Sequence, residues 1–151
     1  MKQIYKRLRK AFPFLGTRAA TEEDILTFLA DHRVQVVRTP FIKNAAYVVY
    51  DGVDFIFIND KLRGVRMMYR LCHELGHFLF HAPTQSRYGV EFFDIHWKKR
   101  NECEAEAVAA LLLLPLKDVK EVQFSGIFKY DIELSNLIAT RLAVAKRLGG
   151  K

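Results

Sequence analysis

The chain is predicted to be an α+β protein in which a small antiparallel sheet is packed with helices. Three observations predict this. Short β-branched and aromatic runs at 34–37, 46–50 and 53–58 are bounded by turn residues. The segment 62–80 sorts polar and apolar residues onto opposite stripes at helical spacing. Two later stretches, 99–114 and 131–148, are long enough for helices and end at Pro115 and at Gly149-Gly150. A length of 151 residues suits one domain whose core needs no disulfide staples. Cys72 and Cys103 make no disulfide framework, so a reducing, cytoplasmic setting is expected.

The N-terminal segment is strongly basic. Residues 1–20 carry Lys2, Lys6, Arg7, Arg9, Lys10 and Arg18 and no acid, which is six of the net charge of +7. They read as a basic arm forming a solvated, partly frayed helix, with residues 21–151 as a single domain behind it. The apolar stretch Phe12 to Leu15 is broken by Pro13 and too short for a signal peptide. Ala107 to Leu116 is about half the length of a membrane span, so a soluble protein with no span is expected. After the arm, Thr21-Glu22-Glu23-Asp24 is an N-cap followed by acids that complement the helix dipole. Ile25, Leu26, Phe28 and Leu29 give that helix an apolar side, to about His32. Val34 to Val37, Ala46 to Tyr50 and Val53 to Ile58 are the strand candidates. Asp51-Gly52 between the last two is a two-residue hairpin signal.

His73-Glu74-Leu75-Gly76-His77 lies inside the predicted helix 62–80. Histidines four apart sit about 40° from each other around a helix and about 6 Å apart along it, so both imidazoles can reach one metal ion. Glu74 falls about 100° from His73, beside that face, where it can hold a water without binding the ion. Two nitrogen ligands and a general base are the chemistry of a zinc hydrolase. By chance the five-residue pattern arises in roughly one chain of this length in a few hundred, so the surrounding residues must support it. With His73 at 0°, Arg70 falls at about 60° and His81 at about 80°, on the polar stripe with the motif residues. Met68, Leu71, Cys72, Leu75 and Leu79 occupy the opposite side, between about 160° and 260°. His81 lies about 12 Å along the axis from His73, too far to share one ion easily, so it is read as a supporting residue.

Residues 82–98 begin with Pro83 and contain Tyr88, Phe92, Phe93, His96 and Trp97, and read as an irregular segment over the site. In the helix beyond it, Glu102, Glu104 and Glu106 stand among Ala105, Val108, Ala109, Ala110 and Leu111 to Leu114. So apolar a helix must be buried, and acids on it need a partner. A metal ion held by histidines is one. Glu102 and Glu106 share a face, flanked by Ala105 and Ala109, whose small side chains permit close approach; Glu104 points away and is the acid best placed for solvent. A catalytic zinc takes three protein ligands and keeps a position for water.

The run Arg70 to His81, followed by Glu102-x-x-Ala105-x-x-x-Ala109-x-x-x-Leu113-Leu114-Pro115, resembles the ImmA/IrrE family of small zincin metallopeptidases. In that family an H-E-x-x-H-x-x-x-H helix with an Arg ahead of the motif precedes one reading E-x-x-A-[ND]-x-F-A and ending near L-L-M-P. The resemblance spans roughly residues 20–116, Ile58-Asn59 included. It implies a zincin-like domain with one Zn2+, held by His73, His77 and Glu102, and Glu74 as general base. Glu106 stands where the family prefers Asn or Asp, Val108 where it has Phe, and Leu114 where it has Met. Glu106 can accept from a ligand imidazole N–H or compete with Glu102 for the metal.

Peptide hydrolysis is the reaction expected, with Glu74 taking the proton of a zinc-activated water and returning it to the leaving amine. His96, Tyr88 and Arg100 are candidates for stabilising the oxyanion. The resemblance further implies a protein substrate, a helix-turn-helix repressor whose cleavage relieves repression in bacteria or their mobile elements. Nucleic acid is not expected as the direct substrate, although the basic arm would predict salt-dependent binding if it were. A zinc-stabilised adaptor that binds a regulator without cutting it is the competing class, and Glu74 argues against it because a structural site needs no base. Cys72 and Cys103 read as small buried side chains rather than a redox switch, and the helix 131–148 as an amphipathic packing helix.

Overall fold

The computed structural model describes residues 1–82, 90–92, 99–119 and 132–150, with the side chains of 90–92 and 132–134 left aside. Its elements are helices α1 (Lys2–Ala11) and α2 (Glu22–Asp31) and strands β1 (Gln35–Thr39), β2 (Ala45–Tyr50) and β3 (Val53–Asn59). Helix α3 (Gly64–His81), strand β4 (Val90–Phe92) and helices α4 (Lys99–Leu113) and α5 (Ile132–Leu148) follow. The α+β expectation holds.

The sheet is mixed rather than antiparallel, in the order β1-β3-β2-β4. β2 and β3 form the antiparallel hairpin that Asp51-Gly52 predicts, with Tyr50 opposite Val53 and positive φ at both turn residues, 48° and 75°. β4 pairs antiparallel with β2, so part of the expected irregular segment is strand. β1 departs from expectation by lying parallel to β3, with Val36 opposite Ile56. A hairpin signal specifies only neighbours in sequence. The link from β1 to β2 starts at Pro40, which cannot donate to a ladder, and crosses the end of β3. There Asn59 holds it by donating its backbone N–H to Asn44 O at 2.7 Å and its side-chain amide to Ile42 O.

Alternation along the strands decides which face meets the helices. Tyr47 and Val49 of β2 and Ile56 and Ile58 of β3 are buried and join Met67, Leu71 and Leu75 of α3 in one core. Burying side chains of the size of Leu71 and Leu75 contributes roughly 1.5–3 kcal/mol each. α2 begins with a full capping box, since Thr21 Oγ1 accepts from the Asp24 N–H while Asp24 accepts from the Thr21 N–H. Arg18 adds two bonds to that carboxylate, at 2.6 and 2.9 Å, which hold it well below the usual carboxyl range. α5 buries Leu137, Ile138, Val144, Ala145 and Leu148, as a packing helix should. Its Arg141, 1% exposed, donates to Leu114 O at the end of α4.

The basic segment is a helix, but not a solvated one. Ile4, Leu8, Phe12 and Leu15 are buried in the same core as α3 and α4. Arg7 donates to Leu79 O in the last turn of α3 and lies over the Phe80 ring, a cation meeting the negative end of a helix. The apolar spacing of Ile4, Leu8 and Phe12 within a run of cations is what docks it. Cys72 is fully buried, which pushes its thiol up, whereas Cys103 is exposed, against expectation, because the first turn of α4 projects from the core. No helix among the described residues is long and apolar enough to cross a membrane.

Candidate metal centre

Two helices make the site, and one glycine sets their distance. α3 presents His73, Glu74, His77 and His81 on the stripe away from its leucines, yet all four are buried, at 4–7% exposure. α4 covers them. A Cβ placed on Gly76 would stand 2.8 Å from Ala105 Cα and 3.2 Å from Val108 Cβ, so this approach exists only because position 76 has no side chain. Ala105 supplies the small surface on the α4 side, as its spacing from Glu102 predicts.

The close contact places Glu102 over the two histidines of the motif. His73 Nε2 and His77 Nε2 are 3.1 Å apart. Glu102 Oε2 lies 3.3 Å from the first and Glu102 Oε1 3.3 Å from the second. Tetrahedral zinc with bonds of 2.0–2.1 Å has ligand–ligand edges of about 3.3–3.4 Å. Two imidazole nitrogens 3.1 Å apart, each 3.3 Å from a different oxygen of one carboxylate, fit zinc in donor type and lie close enough to share it.

The electrostatics suit a cation. Burial, reinforced by His73, lowers the His77 pKa to about 4 against the pull of Glu102, so at neutral pH this ring is uncharged and keeps a nitrogen lone pair. The hydrogen bond with His73 holds Glu102 below its ordinary value, against the cost of desolvation. His73 Nδ1 is buried with no hydrogen-bond partner among the described residues.

A cleft of about 520 Å³ opens beside these donors. One wall is α3, with Tyr69, Arg70, His73, Glu74 and His77; Glu102 and Glu106 line it from α4; the run Ile42 to Tyr47 forms the third side. Glu74 is anchored there, since its Oε2 accepts the Tyr47 backbone N–H at 2.8 Å. Tyr47 is opposite Ile56 in the hairpin, and its N–H points away from β3 toward the cleft, which is why a helix carboxylate can take it.

The predicted residues are distributed as follows. His73, His77 and Glu102 form the cluster, with Glu74, Arg70 and Glu106 lining the same cleft. Among the described residues Glu106 makes no hydrogen bond or ion pair. Glu104, on the other side of the α4 wheel from Glu102 and Glu106, is half-buried and bonded to His81 Nε2 at 3.2 Å and Arg100 Nε at 2.9 Å. Although desolvation opposes it, those bonds hold its carboxyl below the usual range. His81 is 3.1 Å from His77 through their Nδ1 atoms. Arg100, a candidate for the oxyanion, is engaged by Glu104. Tyr88 and His96 lie outside the described residues, as do Phe93 and Trp97.

Sequence reasoning missed Tyr69, whose ring centroid is 6.1 Å from that of His73, and the backbone wall at 42–47. Tyr69 stands four residues before His73, so the spacing that grouped His73 with His77 also puts Tyr69 on that stripe. Nothing local signals the wall, because Ile42 to Tyr47 reaches the cleft only through sheet pairing.

The model of peptidase family M78, described as the IrrE N-terminal-like domain, matches residues 29–148, which include the whole sheet, α3 and α4. No curated protein and no solved structure matches the chain.

Proposed function

Since the chain belongs to the IrrE N-terminal-like family of M78 metallopeptidases, we propose that it is a zinc-dependent endopeptidase acting on a protein substrate, a helix-turn-helix transcriptional repressor whose cleavage relieves repression. The convergence of His73, His77 and Glu102 on one point is the observation that carries the zinc reading. His73 and His77 contribute imidazole nitrogens and Glu102 the one carboxylate ligand. A zinc ion held there would acidify a bound water and polarise the scissile carbonyl.

Glu74 is the general base. Its carboxylate takes a proton from the water, the water oxygen bonds to the carbonyl carbon, and the proton passes to the amine nitrogen as the C–N bond breaks. The bond from the Tyr47 N–H to Oε2 fixes the plane of the carboxylate beside the two histidines. Tyr69 and Arg70 line the same cleft and carry the kind of donor a developing oxyanion needs. The side of the cleft formed by Ile42 to Tyr47 includes the start of β2, and an extended peptide can pair with such a strand edge while its scissile bond lies over the histidines.

The repressor rests on the resemblance of the Arg70–His81 and Glu102–Pro115 motifs to ImmA/IrrE peptidases. The test is to incubate zinc-loaded protein, and separately its Glu74→Gln variant, with the repressor-like protein encoded beside it. One discrete cut by the first and none by the second is expected. Cutting by both would overturn the role of Glu74. Binding without any cut would favour a zinc-bound adaptor.

A further inference from the structure

We propose that Glu104 and His81 are positioning residues that hold His77 in the tautomer whose bare Nε2 faces His73 and Glu102. The proposal rests on the zinc reading only for what that nitrogen then binds. The observation is a continuous chain of polar contacts running from the surface to the cluster. Arg100 Nε donates to Glu104 Oε1 at 2.9 Å. Glu104 Oε2 lies 3.2 Å from His81 Nε2, and His81 Nδ1 lies 3.1 Å from His77 Nδ1. His77 Nε2, at the other end of its ring, is 3.1 Å from His73 Nε2 and 3.3 Å from Glu102 Oε1.

Read inward from Glu104, with one proton on each of the two rings, the contacts assign a direction to each proton. A carboxylate paired with a guanidinium can only accept, so His81 Nε2 must carry a hydrogen. With one N–H on the ring, His81 Nδ1 is then an acceptor. His77 Nδ1 then donates to it, and the lone pair of His77 is left on Nε2, where in the metal-free protein it can accept a hydrogen from His73 Nε2 at 3.1 Å. Both rings are buried, at 7% and 4% exposure, so water cannot readily substitute for a missing partner. Without Glu104 the carboxylate that keeps the proton on His81 Nε2 is gone, and the proton can move to Nδ1. His77 would then have to accept there and carry its own hydrogen on Nε2, pointing at the place a metal would occupy. Glu102 and Glu104 thus serve the same histidine from two sides, one beside its donor atom and the other through His81.

The test begins with the metal-free protein, so that its outcome does not depend on peptidase activity. Ring 15N shifts of His77 in the wild type should show a protonated Nδ1 and a bare Nε2. Glu104→Ala, a change at a half-buried position, should shift His77 to a mixture of tautomers. Zinc affinity, measured by chelator competition, should fall by about 10- to 100-fold. His81→Phe should cost a similar factor. In the double variant the losses should not multiply, because the chain is already broken at His81. A wild-type His77 protonated on Nε2, an unchanged His77 tautomer in Glu104→Ala, or losses that multiply in the double variant would overturn the proposal. If the tautomer shifts as stated in a protein that takes up no zinc, the relay stands and the zinc reading is what fails.

Discussion

Replacing Gly76 by Ala tests the geometry on which the site depends. The new Cβ would stand 2.8 Å from Ala105 Cα and 3.2 Å from both Ala105 Cβ and Val108 Cβ. Ordinary carbon contacts are about 3.5–4.0 Å, so α3 and α4 must part locally by roughly 0.7–1 Å. The nearest atom is backbone, so no side-chain rotation relieves the clash. Overpacking of this kind costs about 1–3 kcal/mol, while Gly→Ala inside a helix returns about 1 kcal/mol. The net loss is expected near 1 kcal/mol, or about 2–4 °C in Tm for a chain of this size. The larger effect is on the metal. Glu102 is one turn before Ala105, and binding constellations tolerate only about 0.5 Å of displacement, so the 3.3 Å spacing to each histidine cannot survive. Zinc affinity should fall about tenfold or more while the fold persists. Thermal melts and chelator competition on the same preparation separate the two effects. An Ala variant that is as stable as the wild type and binds zinc within twofold would refute the close-packed arrangement.

Three further outcomes are expected. Glu74→Gln should lose about 10²–10⁴-fold in turnover, the usual contribution of a general base, with zinc content by elemental analysis unchanged. His77 has a folded pKa of about 4 against an ordinary 6.5, so its contribution to metal-free stability should be complete above pH 6.5 and lost as pH falls toward 4. Urea unfolding at a series of pH values, compared with His77→Phe, would isolate that component, and equal pH profiles would contradict a buried neutral ring. Leu8, fully buried in α1, should cost about 2–5 kcal/mol when truncated to Ala. The exposed Lys6 should cost no more than about 0.5 kcal/mol. Similar small effects at both positions would mean that the basic helix is not part of the core.

Local chemistry was legible wherever it depends on residues close in sequence. The Thr21–Asp24 cap, the Asp51-Gly52 turn and the bounds of α3 and α4 follow from propensities and periodicities acting over one or two turns. His73, Glu74 and His77 were legible for the same reason, since a helix puts residues four apart on one face. Glu102 was within reach because an acid on a nearly all-apolar helix requires a partner. The chain could not announce which neighbour each acid would meet. Glu104 points away from Glu102 on a helical wheel and still finds His81, because the placement of α4 across α3 moves both acids over the histidine stripe.

The sequence by itself thus determined a helix bearing two histidines and a carboxylate, a second helix that had to be buried, and a hairpin ahead of them. Tertiary structure decided how those parts meet. It put β1 parallel to β3, carried Ile42 to Tyr47 to the cleft so that Tyr47 N–H anchors Glu74, docked the basic helix on the end of α3, and turned Glu104 and His81 into a chain ending at His77. Each of these depends on contacts between residues far apart in the chain. Such contacts are selected by shape and by the need to satisfy buried polar groups, and neither is written in the spacing of any one segment.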